Sequence, residues 1–202
     1  VLERFREHFE NFNNARTLAL KEEEKKVVDD LFLLTMKPVL YICNVDEKSA
    51  VSGNHYVDAV KKYLEGSDAE VIIIAGKTEA EIAELDKPED RAAFLSDAGL
   101  DEPGVDKLVR AAYRLLDLQT FFTVGPKEIR AWTIRKGMTA PQAAGVIHSD
   151  LERGFIRAEV MKYNDFITLG SEHACKEAGK FYIEGRNYIV EDGDILHIRF
   201  NV

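Results

Sequence analysis

The sequence predicts an α/β domain followed by an α+β domain, with a charged helical segment ahead of both. Three observations predict this. Two short continuous apolar runs, residues 38–43 and 71–75, flank a stretch with helical spacing. That is the pattern of two parallel strands joined by a crossover helix. After Gln119 the pattern changes to strand-like runs separated by Gly-containing turns and interrupted by one capped helix. The 202 residues suffice for one large domain or two small ones.

Residues 1–36 read as helical. Leu18, Leu20, Val27, Val28, Leu31, Phe32 and Leu34 supply an apolar face around the charged run at 21–26, and Pro38 ends the segment. Residues 37–118 form the next region. Pro38-Val39-Leu40-Tyr41-Ile42-Cys43 and Val71-Ile72-Ile73-Ile74-Ala75 are expected to be strands buried on both faces. Between them Tyr56, Val57, Val60, Tyr63 and Leu64 sit at helical spacing before Gly66. Three short helices follow, over 79–85, 88–98 and 105–118. Asp101-Glu102-Pro103-Gly104 turns the chain between the last two.

Residues 119–202 open with Phe121-Phe122-Thr123-Val124 and a second strand over 129–134, joined through Gly125-Pro126-Lys127-Glu128. Thr139 precedes Ala140-Pro141-Gln142, a capping hydroxyl with proline in the first helical turn. That helix is expected to reach Glu152 and stop at Gly154. Strands are expected over 155–163, 181–183, 188–190 and 195–200, with turns at 184–187 and 191–194. Two strands, a helix and further strands is the order of a β-grasp, ubiquitin-like domain.

Composition narrows the function classes. The balance of 46% hydrophobic and 31% charged residues is that of a globular protein. No apolar run is long enough to span a bilayer, so no membrane partner is expected. Cys43 and Cys175 are far apart and fit two thiols of a cytoplasmic protein better than a disulfide framework. A net charge of -9 argues against non-specific coating of nucleic acid. The charge is uneven, however, with cations interleaved among aromatics after residue 127.

In doubly wound folds, ligands bind beyond the carboxyl ends of the strands. Asn44-Val45-Asp46-Glu47 and Ala75-Gly76-Lys77 lie at those two ends. Two such loops side by side can form one base pocket: an Asn side chain offers a donor and an acceptor, and Gly76 lets backbone approach a ring. The other reading is a pair of polar strand ends followed by turns. Gly76-Lys77-Thr78 resembles the end of a phosphate-binding loop, G-x-x-x-x-G-K-[ST], but position 71 is Val, not Gly. The loop is rejected there, and no other segment supplies one.

The segment from Lys37 to Glu47 resembles the base-recognition segment of the YchF, or Obg-like, ATPase family. GTP-binding relatives of that family carry Asn-Lys-x-Asp, whereas the family carries Asn-x-x-Glu and favours ATP; this chain has Val45 and Glu47. The resemblance continues through Glu79-Ala80-Glu81-Ile82-Ala83-Glu84-Leu85, Arg130-Ala131-Trp132-Thr133, Ala140-Pro141-Gln142-Ala143-Ala144-Gly145 and Tyr188-Ile189-Val190-Glu191-Asp192-Gly193-Asp194. It implies that residues 1–36 end a coiled-coil insertion, and that 37–118 are the C-terminal part of a P-loop-type nucleotide-binding domain lacking its phosphate loop. It implies further that 119–202 are a TGS domain. Asn44, Val45, Glu47, Ala75, Gly76 and Lys77 would then meet the purine. The phosphate loop, the Mg ligands and the catalytic histidine of the family are expected upstream of Val1. ATP (or GTP) with Mg belongs to the full-length protein; the chain alone is expected to require no cofactor, to hold no metal and to be inactive as a hydrolase.

TGS domains also occur in threonyl-tRNA synthetases and stringent-response enzymes, so contact with the ribosome or RNA is implied by the resemblance. Lys127, Arg130, Arg135, Lys136, Arg153 and Arg157 are the candidate cations, with Trp132, Phe155 and Tyr163 as stacking platforms. The same residues also read as core aromatics and a scattered solvated surface. A stand-alone RNA- or protein-binding module is the alternative function. Glu172, His173 and Cys175 are ligand-type residues but are read as a surface loop.

Overall fold

The computed structural model describes residues 1–67, 69–125 and 128–201. It divides into two compact units, Val1–Leu115 and Leu116–Val202.

The first unit opens with α1 (Leu2–Glu10) and α2 (Glu22–Val28), linked and followed by short 3-10 turns. This segment is not one continuous helix. It folds back on itself around Phe5, Ala15 and Val28, with Leu18, Leu20, Leu33 and Met36 packed against them. The rest of the expected apolar face is not covered: Val27, Leu31, Phe32 and Leu34 are exposed.

β1 (Leu40–Asn44), α3 (His55–Tyr63) and β2 (Glu70–Ile74) form the expected strand–helix–strand unit. β1 and β2 are parallel, with Asn44 opposite Ile74. Asn54 caps α3 by accepting from the amides of Tyr56 and Val57. The expectation of strands buried on both faces does not hold. β2 is half-buried throughout and Ile42 of β1 is 49% exposed, because these two strands form a two-stranded sheet. α4 (Gly76–Ala83), α5 (Pro88–Asp97) and α6 (Gly104–Leu115) follow. α4 starts three residues earlier than the spacing suggested, and α6 ends before Leu118, which is already in a strand.

The second unit contains β3 (Leu118–Val124), β4 (Ile129–Arg135), α7 (Ala140–Ile147), α8 (Ser149–Arg153), β5 (Phe155–Lys162), α9 (Tyr163–Leu169), α10 (Glu172–Glu177), β6 (Tyr182–Glu184) and β7 (Asp194–Phe200). The five strands form one mixed sheet in the order β4-β3-β7-β5-β6, with β3 and β7 parallel and the other pairs antiparallel. The doublets Phe121-Phe122, Val160-Met161 and Leu196-Ile195 explain how the sheet is covered. Neighbours on a strand face opposite ways. Phe121, Val160 and Leu196 pack with Ala140, Ala143 and Ala144 of α7. Phe122, Met161 and Ile195 pack on the other face with Phe166 of α9 and Cys175 of α10.

Three expectations fail in this unit. The single helix to Glu152 is broken at His148, whose backbone is extended and whose Nδ1 accepts the Asp150 amide to start α8. Residues 188–190 are not a strand; they carry one isolated bridge, Thr139 to Ile189. The supposed surface loop at 172–175 is helical: Ser171 caps α10, and Cys175 is fully buried. The turn at 125–128 includes Pro126 and Lys127, which lie outside the described residues.

Candidate functional site

The two strand-end loops meet. The parallel pairing brings Asn44 beside Ile74, and the Val45 amide donates to the Ile74 carbonyl at 2.9 Å. One residue on, Ala75 is buried and leads into α4, whose first residue is Gly76. The Gly76 amide is one of the donors that every helix start leaves without an intrahelical partner. It donates to Asn44 Oδ1 at 2.9 Å. This bond fixes the orientation of the amide group, since only the oxygen can accept. That leaves Nδ2 as the remaining donor of the amide, and among the described residues no hydrogen bond uses it. A Cβ at position 76 would stand 3.0 Å from Asn44 Oδ1, so any larger residue there would require the Asn44 side chain to shift.

The other residues of this group are placed less uniformly. Val45 is half-buried; Asn44, Gly76 and Glu47 are exposed. Asp46 accepts the Ser49 amide at 3.1 Å and so opens a 3-10 turn that begins with Glu47. Lys77 is 91% exposed and lies toward Glu81, 3.7 Å away along α4, rather than toward Asn44. Thr78 is buried. Glu79, which sequence reasoning did not single out, reaches from α4 to the first amide of α6, with Gly104 N–H donating to its Oε1 at 2.7 Å. Its partner lies 25 residues away, so no local spacing could have exposed it.

The six candidate cations do not form one patch. Lys127 lies outside the described residues. Arg153 pairs with Asp150 at 2.5 Å, and Arg157 reaches Glu159 at 3.3 Å. Alternation along β4 puts Arg130 and Arg135 on opposite faces, with Lys136 just beyond the strand. Arg130 stacks over the Trp132 ring at 4.1 Å, while the indole Nε1–H donates to Thr123 Oγ1 at 2.9 Å. Trp132 is half-buried, Phe155 is a core residue at 2% exposure, and Tyr163 is exposed. Among the described residues no ion pair engages Arg130, Arg135 or Lys136.

A charged cluster at the edge of the second core was also not foreseen. Asp194, fully buried, accepts from Lys162 Nζ at 2.7 Å, from the Tyr188 hydroxyl at 2.7 Å and from the Glu191 amide at 2.9 Å. Burial pushes the Lys162 ammonium down, but its bonds to Asp194, Glu191 and Tyr188 outweigh that and hold it above its usual range. Burial and the bond to Asp194 push the Tyr188 phenol up to about 12. Across the sheet, the bond from Arg199 holds the Glu159 carboxyl below its usual range. Lys162, Tyr188 and Asp194 latch the 191–194 turn, where Asp192 accepts the Thr120 amide and the Gly193 amide donates to the Thr120 carbonyl.

The chain aligns along its full length with the Ribosome-binding ATPase YchF of Bacillus subtilis, at 49% identity over 204 residues. Residues 118–201 match the family YchF-GTPase_C, described as a protein of unknown function (DUF933). The chain belongs to the YchF/Obg-like ATPase family. The Obg-like ATPase 1 of Rattus norvegicus is 46% identical over 183 residues, covering 89% of this chain. The solved structure of the Schizosaccharomyces pombe YchF GTPase superposes on 98% of this chain with a TM-score of 0.87 at 32% identity. The chain spans about half the length of these relatives: 56% of the first, 46% of the second and 53% of the third. The mixed α/β architecture, with one parallel and one mixed sheet, is thus that of a YchF structure. Among the described residues no group of three or more His, Cys, Asp or Glu side chains is arranged to hold a metal ion, and no helix is long and apolar enough to cross a membrane.

Proposed function

We infer that this chain supplies the base-recognising part of the nucleotide site of a YchF-type, ribosome-associated P-loop hydrolase of the cytoplasm, with ATP preferred over GTP. In the same reading, residues 119–202 are a β-grasp TGS domain that faces the ribosome or its RNA. The observation that carries the first part is the bond from the Gly76 amide to Asn44 Oδ1. It joins two loop tips on neighbouring parallel strands and presents the Asn44 Nδ2 as a donor. Purine N7 is an acceptor in adenine and guanine alike, so Asn44 would grip either base. Choice between them falls to whatever meets the exocyclic group, which is N6–H₂ in adenine and O6 in guanine. Glu47 takes the place where the GTP-binding relatives carry their guanine-pairing Asp, which supports ATP. Val45, half-buried, supplies the apolar wall, whereas Ala75 is buried and shapes the loop from beneath.

Transition-state stabilisation in phosphoryl transfer comes mostly from the phosphate loop, its Lys and Mg. The 202 residues contain no such loop, and among the described residues no group of three or more His, Cys, Asp or Glu side chains is placed to hold a metal ion. No chemical step is assigned to this chain, and it is expected not to hydrolyse ATP by itself. Turnover assays on the purified chain test this, and ATP hydrolysis that disappears in Asn44→Ala would overturn it. Joined to a phosphate-loop segment, the same chain is expected to gain ATP hydrolysis, with Asn44→Ala lowering kcat/KM about 10- to 100-fold. Ribosome retention without any nucleotide dependence in that joined protein would favour a binding module instead.

A further inference from the structure

The first turn of α4 is held from two sides by the same device. From β1, Asn44 Oδ1 takes the Gly76 amide at 2.9 Å; toward α6, Glu79 Oε1 takes the Gly104 amide at 2.7 Å. Each bond satisfies a donor at a helix start. A side chain on either donor residue would press against the accepting oxygen and require it to shift. A Cβ at Gly104 would lie 2.7 Å from Glu79 Oε1 and 3.2 Å from Ile74 Cγ2. The Glu79 carboxylate sits in the first turn of α4 and at the first residue of α6, so both positive helix ends favour its charge. The far end of α6 is tied to the same strand, since Arg114 pairs with Glu70 at the start of β2. α6 therefore runs antiparallel to β2, fixed near both ends.

We propose that Glu79 is a positioning residue of the base site, one that locks the Gly76 loop to the start of α6 without touching the nucleotide. This rests on the reading of the Asn44 and Gly76 loops as the base pocket. Without Glu79, the first turn of α4 keeps its Asn44 bond and its own helical bonds but loses its tie to α6, and the loop gains freedom along the direction that α6 now blocks. The consequence belongs to binding, not to phosphoryl transfer, because the base is remote from the bond that breaks.

Amide exchange on the 202-residue chain tests the hold on the loop. Glu79→Ala is expected to speed exchange about tenfold or more over 44–50 and 75–80 as well as 104–108, leaving 155–162 and 194–200 unchanged. Glu79→Gln, which keeps the accepting oxygen, is expected to stay within about threefold of the parent protein. Acceleration confined to 104–108, or a Gln variant as damaging as Ala, would overturn the proposal. Should Glu79→Ala unfold the first unit outright, Gly104→Ala displaces the carboxylate from the other side, and the same pattern across the three segments decides. In a protein that also carries the phosphate loop, Glu79→Ala is expected to raise KM for ATP about tenfold with kcat within about twofold. An equal fall in kcat would overturn the positioning role. Failure of that protein to bind ATP, with the exchange pattern intact, would instead overturn the base-site reading and leave the loop contact standing.

Discussion

Asn44 is a candidate from sequence because it sits where a buried-looking strand ends, and strand ends are where α/β sheets bind ligands. Its partner Gly76 was legible for the same reason. What the sequence did not carry was the orientation of the amide, which depends on one bond across 32 residues. That bond makes position 76 sensitive. Gly76→Ala places a methyl 3.0 Å from Asn44 Oδ1. It is expected to lower the stability of the first unit by about 1 kcal/mol, less than a buried cavity would, because Asn44 is exposed and can turn away. Urea denaturation monitored on the first unit measures this, and unchanged stability would show that Asn44 yields freely. Glu159 gives a residue-scale prediction of the opposite kind. Its carboxyl is held below its usual range by Arg199 in the folded state. The resulting stabilisation is present above the ordinary carboxylate range and is lost as pH falls through the folded value. Arg199→Gln should therefore flatten the acid limb of stability against pH, and an unaltered limb would contradict the assignment.

At the scale of elements, the doublets along β3, β5 and β7 told that the strands were buried but not by what. α7 was legible from Thr139, Pro141 and its alanines, whereas α9 and α10 were not. Each is under eight residues, too short for periodicity to register, and Cys175 looked like a possible ligand when it is a packing residue. Cys175→Ser puts a hydroxyl among Met161, Ile195 and Phe166. It is expected to cost about 1–3 kcal/mol, read as a lower urea midpoint for the second unit. The 188–190 segment misled for a related reason. Its Tyr188 serves the Asp194 latch and its Val190 the core rather than a ladder, and Gln119 Nε2 donates to the Val190 carbonyl at 2.6 Å. Asp194→Ala leaves the Lys162 ammonium with Glu191 as its one carboxylate beside the Tyr188 hydroxyl and is expected to cost about 3 kcal/mol. The latch also sets an alkaline limit. Lys162 and Tyr188 both have folded pKa values raised above their ordinary ones, Tyr188 to about 12. Their contribution is whole below about pH 10 and is lost as pH rises further. Lys162→Met removes one of the two raised groups and should make the loss of stability above about pH 10 shallower, while the Tyr188 part persists; circular dichroism against pH checks this.

At the scale of the whole molecule, a chain of net charge -9 that contacts a polyanion must do so through a few local cations against an unfavourable long-range field. The described part of the second unit limits how many there can be. Arg153, Arg157, Lys162, Lys176, Lys180 and Arg199 are each bound to a carboxylate. Arg186 donates to the Phe155 carbonyl at 2.6 Å. Arg130, Arg135 and Lys136 remain, with Lys127 outside the described residues. Each phosphate neutralised on single-stranded RNA contributes about -0.7 to the slope of log K against log salt, so three or four contacts give a slope of about -2 to -3. Binding of the chain to ribosomes or to loop-bearing ribosomal RNA is therefore expected to weaken only gently with salt. The pair Arg135→Gln and Lys136→Gln should flatten the slope by a further unit or more, while Arg153→Gln and Arg157→Gln leave it nearly as it was. A slope near -6 would require a basic surface that the second unit does not present among its described residues. In that case the contact would have to be sought outside Arg130, Arg135 and Lys136. A slope near zero, with binding retained, would mean that the docking is apolar and that Ile129 and Tyr163, both exposed, are better candidates than any cation.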